Sequence, residues 1–298
     1  MKGTPQGAVN PSPEEARELV RRFGLKRAGA RAPLPVYTRE LWNRRHFIVE
    51  FSRATNASGY SRSMLGQAWQ VLTPLLNAAV YYLLFGLLLG VSRGVHNYIG
   101  FLVTGVFVFQ LVQGAVNGGS RALQSNLSLA RTLRFPRAVF PVSATVVALE
   151  RLLMSLVVLA PIILLTGEPL RLQWLEVAPA LVLEVLFCMG LAFIFARIGA
   201  KIPDVSQMLP FALRIWFYAS GVMFSIESFT KERGHPHIGE IMNLNPATIY
   251  VDLFRSALMA SEPGATARQW LLGLVWAVVV LGAGYVFFWK AEEEYGRD

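Results

Sequence analysis

Residues 63–92 read SMLGQAWQVLTPLLNAAVYYLLFGLLLGVS, a stretch without Asp, Glu, Lys or Arg. Residues 94–120 and 269–289 also lack these four residue types. A helix needs about 20 apolar residues to cross a bilayer, so each of the three stretches is long enough to do so. The sequence therefore predicts an all-α polytopic membrane protein.

The overall composition supports the same class. The chain of 298 residues is 54% hydrophobic and only 16% charged, whereas about 25% of residues are charged in an ordinary soluble domain. These values exclude a disordered chain and a soluble enzyme with a large core. The net charge of +9 would suit nucleic-acid binding, but the basic residues flank apolar runs, where they set membrane orientation. We therefore expect a membrane, and no nucleic acid, as a partner.

Six segments are predicted to cross the membrane, within one transmembrane domain over residues 60–290. They lie at about 69–91, 98–118, 138–166, 177–196, 208–225 and 270–289. Charged residues fall inside the third, fourth and fifth of these spans: Glu150, Arg151, Glu184 and Arg214. Because charged groups are costly in lipid, we expect them to face the interior of the bundle. Pairing between helices, such as Arg151 with Glu184, is the interpretation we prefer.

The basic residues indicate the orientation. Residues 1–62 contain twelve Lys or Arg. The link between the second and third spans contains four arginines and no acidic residue: Arg121, Arg131, Arg134 and Arg137. On the opposite side, residues 227–267 contain three basic and five acidic residues. The positive-inside rule then places both termini in the cytoplasm, with tails over residues 1–37 and 291–298.

An amphipathic helix is predicted over residues 38–57, before the first span. Its polar residues recur at spacings of four, three, four and three, which places them on one face: Arg39, Asn43, His46, Glu50 and Arg53. Leu41, Ile48 and Phe51 lie opposite. The segment is too charged to cross the bilayer and suits the cytoplasmic membrane interface. A soluble helix that packs on a partner is the alternative.

The segment 226–268 is too apolar for a solvated loop. We predict two short re-entrant helices there that dip partway into the outer leaflet, a depth at which such backbone is tolerated only beside protein or water. His235 and His237 flank Pro236 in this segment. Two histidines on a proline turn are a weak metal signal, and we expect no metal.

The sequence lacks the common motifs of nucleotide binding and hydrolysis. The phosphate-loop pattern G-x-x-x-x-G-K-[ST] does not occur, so the chain does not bind ATP in that manner. The patterns G-x-S-x-G and H-E-x-x-H are also missing. The single cysteine, Cys188, lies in an apolar stretch, which excludes a disulfide framework or a zinc cluster. If the chain moves a substrate uphill, the energy comes from elsewhere, and we expect no cofactor on this chain.

Three motifs resemble those of ABC-2 type permeases that export polysaccharides, the O-antigen and teichoic-acid exporters. Residues 60–86, YSRSMLGQAWQVLTPLLNAAVYYLLFG, resemble the start of the family's first span. Residues 245–255, NPATIYVDLFR, are similar to its Asn-Pro segment in the outer loop. Residues 196–211, ARIGAKIPDVSQMLPF, are similar to its stretch between the fourth and fifth spans. In the family an Arg and an Asp are often adjacent there, whereas Arg197 and Asp204 are separated.

The resemblance implies a half-transporter without enzymatic activity of its own. Two copies of the chain would form the pore in a bacterial inner membrane. Two separate ABC ATPase subunits, which hold ATP and Mg, would dock on the cytoplasmic side. By the same resemblance, residues 38–57 would be a gate helix and residues 120–137 would contain the main coupling helix, while residues 227–267 would cap the exit.

Aromatic residues are the predicted substrate-path residues, because sugar rings have apolar C–H faces that lie on aromatic rings. The candidates are Tyr81, Tyr82 and Phe85 of the first span and Trp216, Phe217, Tyr218 and Phe224 of the fifth. Tyr81 and Phe85 share a helix face at i and i+4, and the resemblance covers both. The alternative is that these rings pack against neighbouring helices or form interface belts.

Basic residues near the inner leaflet have two predicted roles. Four beside the gate helix are candidates for binding the pyrophosphate of a lipid-linked glycan: Arg44, Arg45, Arg53 and Arg62. The charged residues inside the spans are the alternative site for that pyrophosphate. Five residues of the basic link are candidates for coupling to the ATPase: Arg131, Arg134, Phe135, Pro136 and Arg137. The alternative for this link is topogenic charge near anionic lipid.

The predicted function is ATP-driven export of a lipid-linked cell-envelope polysaccharide, such as O-antigen, wall teichoic acid or galactan. An exporter of drugs or small lipids from the same superfamily is the alternative. The amphipathic helix before the first span favours the glycan branch. A membrane-embedded glycosyl- or acyltransferase is less favoured, because its paired acids or positioned histidine are missing from the sequence.

Overall fold

The computed structural model of the chain describes residues 12, 14, 18, 22, 32–59, 64–88, 90, 95–132, 135–226, 236–293 and 295. Within these residues the secondary structure is helical, and they contain no strand. Eleven α-helices are described, which we number α1 to α11. They are α1 (Leu34–Asn43), α2 (Arg45–Ser58), α3 (Trp69–Tyr81), α4 (Tyr98–Arg121), α5 (Leu127–Thr132), α6 (Val139–Leu165), α7 (Val177–Lys201), α8 (Val205–Tyr218), α9 (Pro236–Asn243), α10 (Pro246–Leu258) and α11 (Ala267–Lys290).

Five of the helical segments are long and apolar enough to cross a membrane. They are Gly66–Leu88, Tyr98–Arg121, Val139–Leu165, Leu172–Lys201 and Ala267–Lys290. The first contains α3 with a short 3₁₀ turn before it and a π-helical turn, Tyr82–Leu88, after it. These segments confirm an all-helical, multi-pass membrane protein, and they coincide with five of the six predicted spans.

The fifth predicted span, 208–225, is shorter in the structure. Its helix, α8, has 14 residues and ends at Tyr218, which gives a length of about 21 Å against a hydrocarbon core of about 30 Å. The backbone turns after Ala219, and Gly221 has a positive φ of 61° that favours glycine. The prediction of one continuous helix was wrong because a distant arginine binds the carbonyl groups of this turn.

That arginine is Arg255 of α10, whose side chain is only 3% exposed. Its guanidinium donates hydrogen bonds to the carbonyl oxygens of Gly221 at 3.0 Å and Val222 at 2.8 Å. It also donates to the carbonyl oxygen of Phe101 from two nitrogens, at 3.2 and 3.1 Å. Irregular backbone in a membrane protein is stable where protein groups satisfy it, and Arg255 satisfies this turn.

Helix α4 forms the centre of the bundle. In the most apolar stretch of 18 residues within this helix, 78% of the residues are buried. It packs against α6, α7, α8 and α10. On the other side of α7, Gly190 lies so close to α11 that a Cβ atom would come within 2.5 Å of the Val280 carbonyl group. The small residue therefore allows α7 and α11 to cross closely.

The predicted amphipathic helix consists of two helices, α1 and α2, which meet at Arg44. The polar face predicted from the spacing is exposed along both helices: Arg39, Asn43, His46, Glu50 and Arg53. The opposite face packs on α6, where the Ser52 hydroxyl donates to the carbonyl oxygen of Ser143 at 3.2 Å. Helix α1 begins at Leu34, four residues before the predicted start.

Two short helices, α9 and α10, lie in the segment before the last span, as their apolar residues predicted. Helix α10 is almost wholly buried and begins at Pro246. Its N-cap is Asn245, whose side-chain oxygen accepts from the Ala247 N–H at 3.1 Å. Asn and Pro at these two positions are typical of a helix N-terminus. Re-entry of these helices into the bilayer stays a prediction.

Candidate substrate cavity

A cavity of about 420 Å³ lies between four helices of the bundle. One face of each of three helices supplies most of its wall. The lining residues are Trp69, Gln70, Thr73, Pro74, Asn77 and Tyr81 of α3; Val106, Gln110, Gln113 and Asn117 of α4; Arg151 of α6; and Pro210, Leu213, Arg214 and Phe217 of α8. The spacing on each helix follows the i, i+3, i+4, i+7 pattern of a single helical face.

Carboxamide side chains give the cavity its polar character. Gln70 and Asn77 face it from α3, and Gln110, Gln113 and Asn117 face it from α4. The side-chain oxygens of Gln70, Gln110 and Asn117 are buried and accept no hydrogen bond from the described residues. A buried polar group without a partner costs about 1–3 kcal/mol, so these oxygens are suited to a ligand that donates hydrogen bonds.

A hydrogen-bonded cluster joins the cavity to the end of α2. Asn56 donates through Nδ2 to the Glu150 carboxylate at 3.1 Å. Its Oδ1 accepts from Gln70 Nε2 at 3.0 Å and from Arg151 Nε at 3.3 Å. The cluster connects α2, α3 and α6, and both Gln70 and Arg151 also line the cavity.

The predicted pairing of Arg151 with Glu184 was wrong. Glu184 is completely buried in α7, and neither of its carboxylate oxygens has a hydrogen-bond partner among the described residues. Arg151 instead binds Asn56, which lies 95 residues away in sequence. The competing partner sits on α2, outside the predicted spans, so that a comparison of the charges inside the spans could not identify it.

Two of the predicted aromatic residues line the cavity, Tyr81 and Phe217. Their ring centroids are 5.4 Å apart, and Phe217 also meets Phe109 edge to face at 5.2 Å. The structure thus brings together one ring from the first predicted span and one from the fifth. Aromatic pairs at these distances are stable, and the Tyr81 hydroxyl is hydrogen-bonded to the side chain of Tyr218.

The other predicted aromatic residues lie outside the cavity lining: Tyr82, Phe85, Trp216, Tyr218 and Phe224. Tyr82 lies in the π-helical turn and contacts Tyr98 at 6.1 Å. Trp216 has a clear structural contact, because its Nε1–H donates to the side-chain oxygen of Asn245 at 2.8 Å. The Asn-Pro motif therefore ties α8 to α10. A substrate-path role for these five rings stays a prediction.

Of the predicted pyrophosphate-binding arginines, Arg45 and Arg53 belong to α2, and Arg44 lies at the junction of α1 and α2. Arg44 lies 5.9 Å from the Phe135 ring centroid, and Arg45 lies 5.7 Å from the ring of Trp42. Arg53 forms an exposed ion pair with Glu50 at 3.1 Å. None of these three arginines lines the cavity, and Arg62 lies outside the described residues. Their role in binding pyrophosphate stays untested.

Part of the predicted coupling segment packs against α2, which lies in the predicted gate helix. The ring of Phe135 lies 5.2 Å from that of Phe47 in α2, and Pro136 is buried. The backbone of Arg131 belongs to α5, but its side chain and the whole of Arg134 lie outside the described residues. The contact between Phe135 and Phe47 joins the link to the helix predicted to gate the pore.

Arg137 belongs to a contact that the sequence did not reveal. Its N–H donates to the Glu292 carboxylate at 3.0 Å, and the Tyr37 hydroxyl donates to the same carboxylate at 2.7 Å. The Tyr37 oxygen also accepts from the Ala138 N–H at 3.1 Å. Burial raises the pKa of Glu292, although the hydrogen bonds from Arg137 and Tyr37 act in the opposite direction. This cluster joins α1, the basic link and the C-terminal segment.

A second carboxylate cluster fixes the opposite end of the bundle. Glu168 accepts hydrogen bonds from the Ser261 hydroxyl and from the N–H groups of Ala260 and Ser261. The Asn97 amide adds a weaker one at 3.4 Å. Burial alone would raise the pKa of Glu168, but these hydrogen bonds outweigh it and lower the pKa. The carboxylate thus joins the loops that precede α4, follow α6 and follow α10.

Comparison with known proteins places the chain in a family. The family profile of the ABC-2 type transporter matches residues 50–259. The O-antigen export system permease protein RfbA of Myxococcus xanthus is 26% identical over 87% of this chain and 98% of its own length. A protein of the same name from Klebsiella pneumoniae is 25% identical over 67% of this chain and 75% of its own length. The polysialic acid transport protein KpsM of Escherichia coli is 25% identical over 67% of this chain and 76% of its own length.

The chain belongs to the ABC-2 type transporter family. This confirms the family predicted from the three sequence motifs. Members of this family are membrane transport subunits rather than enzymes. The cavity at the centre of the described helices is accordingly a candidate for part of a transport path.

Proposed function

We propose that this chain is the permease subunit of an ATP-driven exporter that moves a lipid-linked cell-envelope polysaccharide across the bacterial inner membrane. The cavity carries the proposal. It combines carboxamides, which exchange hydrogen bonds with sugar hydroxyls, with the rings of Tyr81 and Phe217, which suit the apolar faces of sugars. The named functions of the relatives, O-antigen export and polysialic acid transport, support the same substrate class.

The chemistry of the cavity explains how a polar polymer could be moved through a bilayer. A glycan leaves water only if other groups replace its hydrogen bonds, because an unpaired hydroxyl in an apolar environment costs several kcal/mol. The amides on α3 and α4 supply these hydrogen bonds at several positions along the two helices. Because amides both donate and accept, successive sugars can exchange partners without being held tightly at one position.

The proposed assembly contains two copies of this chain and two ABC ATPase subunits that bind ATP and Mg. The ATPase would dock at the basic link before α6, and Arg137 and Phe135 would pass its movement on to α1 and α2. The contacts of Phe135 with Phe47 and of Arg137 with Glu292 support this route. Both termini would lie in the cytoplasm, as the basic residues predict.

Export of a drug or a small lipid is the alternative within the same family. Such substrates are mainly apolar, and binding sites for them are lined mostly by apolar and aromatic side chains. Five carboxamides and two guanidinium groups line this cavity, which favours a polyhydroxylated substrate. The glycosyltransferase alternative would need catalytic groups of its own, and the analysis of lipid-linked glycans described next distinguishes it from a transporter.

The test is to delete the gene and determine on which side of the inner membrane lipid-linked glycans accumulate. The proposal predicts full-length glycans on the cytoplasmic side, restored to the outer side by this chain only when its ATPase can hydrolyse ATP. A strain with an inactive ATPase is the matched control. Shortened or missing glycans would support a biosynthetic enzyme instead, and unchanged glycans would support the drug or small-lipid exporter.

A further inference from the structure

Two positively charged side chains from different helices line the cavity. Arg151 comes from α6 and Arg214 from α8. Within the lining that the structure describes, no residue is acidic. Arg214 makes no salt bridge to the described residues. Charged groups at membrane depth are costly, and when present they mark ion or substrate paths.

The local contacts of Arg151 hold its side chain in place. Its Nε donates to Asn56, whose other side-chain atom binds the Glu150 carboxylate at 3.1 Å. Gln70 binds the same Asn56 oxygen and is itself only 2% exposed. Arg151 therefore reaches the cavity from a hydrogen-bonded network that joins α2, α3 and α6.

Unpartnered amide oxygens line the same cavity as these two arginines. The side-chain oxygen of Gln70 lies in the cavity wall, buried and without a hydrogen-bond partner among the described residues. The corresponding oxygens of Gln110 and Asn117 have the same environment. The wall thus offers positive charge together with acceptors for hydroxyl groups, a combination that an apolar substrate would not use.

We propose that Arg151 and Arg214 form an anion-binding site in the cavity, and that its ligand is a phosphate or carboxylate group flanked by sugar hydroxyls. Guanidinium groups bind both of these anions with paired, charge-assisted hydrogen bonds. The anion has two sources, the phosphate of a lipid carrier or an acidic sugar within the polymer. The inference rests on the proposed function, and it assigns the anion to the cavity rather than to the arginines of α1 and α2.

Binding to the purified complex of this chain with its ATPase, in lipid nanodiscs, tests the proposal. The probes are inorganic pyrophosphate, an acidic oligosaccharide of uronic acids and a neutral dextran oligosaccharide. Arg151→Gln and Arg214→Gln should each weaken binding of an anionic probe by about tenfold or more and leave dextran binding unchanged. Arg214→Lys should retain part of the affinity. Arg268→Gln, which removes an exposed arginine outside the cavity, should match the wild type.

The two anionic probes distinguish the sources of the anion. A response to pyrophosphate alone assigns the site to the lipid carrier, and a response to the acidic oligosaccharide alone assigns it to the polymer. With the wild-type complex, anion binding should also weaken as salt is added, a readout that does not depend on any variant folding. If neither anionic probe binds the wild type, or if both glutamine variants bind as tightly as the wild type, the anion site does not exist.

Export in cells separates this inference from the proposed function. When wild-type protein restores surface glycan to the deletion strain and the two glutamine variants restore it equally, the anion site is wrong and glycan export stands. When wild-type protein restores no glycan export at all, the proposed function itself is wrong. The expected result is export by the wild type and by Arg268→Gln, with a loss of at least about tenfold in the Arg151→Gln, Arg214→Gln double variant.

Discussion

Replacement of Arg255 by methionine should destabilise the turn that follows α8. The arginine is 3% exposed and donates hydrogen bonds to the carbonyl oxygens of Phe101, Gly221 and Val222 at 3.1, 3.0 and 2.8 Å. Its guanidinium also lies 3.2 Å from the centre of the Phe101 ring. Methionine has a similar length but no donor, so the variant leaves three carbonyl groups without their partner.

The expected cost follows from these contacts. Each buried carbonyl that loses its donor costs about 1–3 kcal/mol, and the variant no longer has to bury a guanidinium group, which offsets part of the loss. We expect a loss of about 3–5 kcal/mol in the free energy of unfolding, the range found when one partner of a buried charged contact is removed. A loss of 4 kcal/mol would lower the ratio of folded to unfolded protein by about a thousandfold.

The assay is an SDS titration of the purified protein in mild detergent, followed by circular dichroism. Arg255→Lys keeps the charge but not the planar fork of donors, and should lose less stability than the methionine variant. Arg268→Met, at an exposed position of α11, should stay within about 0.5 kcal/mol of the wild type. An Arg255→Met protein that unfolds together with the wild type would refute the role given to this arginine.

Three further predictions concern packing, pH and solvent access. Gly190→Val should prevent close packing of α7 on α11, because its Cβ would clash with the Val280 carbonyl group. We expect the free energy of unfolding in the same SDS titration to fall by at least about 3 kcal/mol. Unchanged stability would contradict the close contact between the two helices. Glu168, whose pKa is lowered in the fold, contributes stability above the ordinary Glu pKa of about 4.3 and loses it as the pH falls through the lower folded value. At pH 7 the wild type should therefore be more stable than Glu168→Gln, and this difference in the free energy of unfolding should decrease as the pH is lowered from 7 to 3. A difference that does not change with pH would argue against an ionised Glu168. Gln113→Cys should react with a water-soluble maleimide, whereas Leu111→Cys, buried on the same helix, should not. A Gln113→Cys variant that stays unlabelled would show that the cavity is closed to water.

Most of the membrane spans could be predicted from the sequence, because a span depends on local composition. The charge-free stretches 63–92, 94–120 and 269–289 coincide with three of the five long apolar helices. The residue at which α8 ends could not be predicted from local composition. It is set by hydrogen bonds from Arg255 to Gly221, 34 residues earlier in the chain, and a sequence window around residues 208–225 contains no sign of that partner.

The site was only partly predictable. The aromatic candidates included Tyr81 and Phe217, which line the cavity. They also included Phe85, which was favoured together with Tyr81 but lies outside the lining, and Trp216, which binds Asn245. The amides that line the cavity could have been predicted from the sequence, because Gln110, Gln113 and Asn117 recur at helical spacing within an apolar span. A polar face within an apolar span is a better indicator of a wet path than aromatic content.

Two clusters depend on tertiary contacts that sequence spacing does not encode. Asn56 joins Gln70 and Arg151 across three helices. Tyr37 and Arg137 meet at Glu292, more than 150 residues from either of them. Arg151 is held by the neutral side chain of Asn56, and Arg137 is held by the side-chain carboxylate of Glu292. Charge patterns along the chain give no information on such partners.

The central claim, that this chain conducts a lipid-linked glycan when its ATPase hydrolyses ATP, is tested most directly by reconstitution. Lipid-linked glycan extracted from the deletion strain is placed in the outer leaflet of proteoliposomes that contain the complete complex, with the ATPase facing outwards. A glycosidase that cannot cross membranes then reports how much glycan remains outside. We predict that ATP makes a growing fraction of the glycan resistant to the enzyme, and that an inactive ATPase abolishes this protection. Complete digestion of the glycan, in vesicles that hydrolyse ATP normally, would contradict the account.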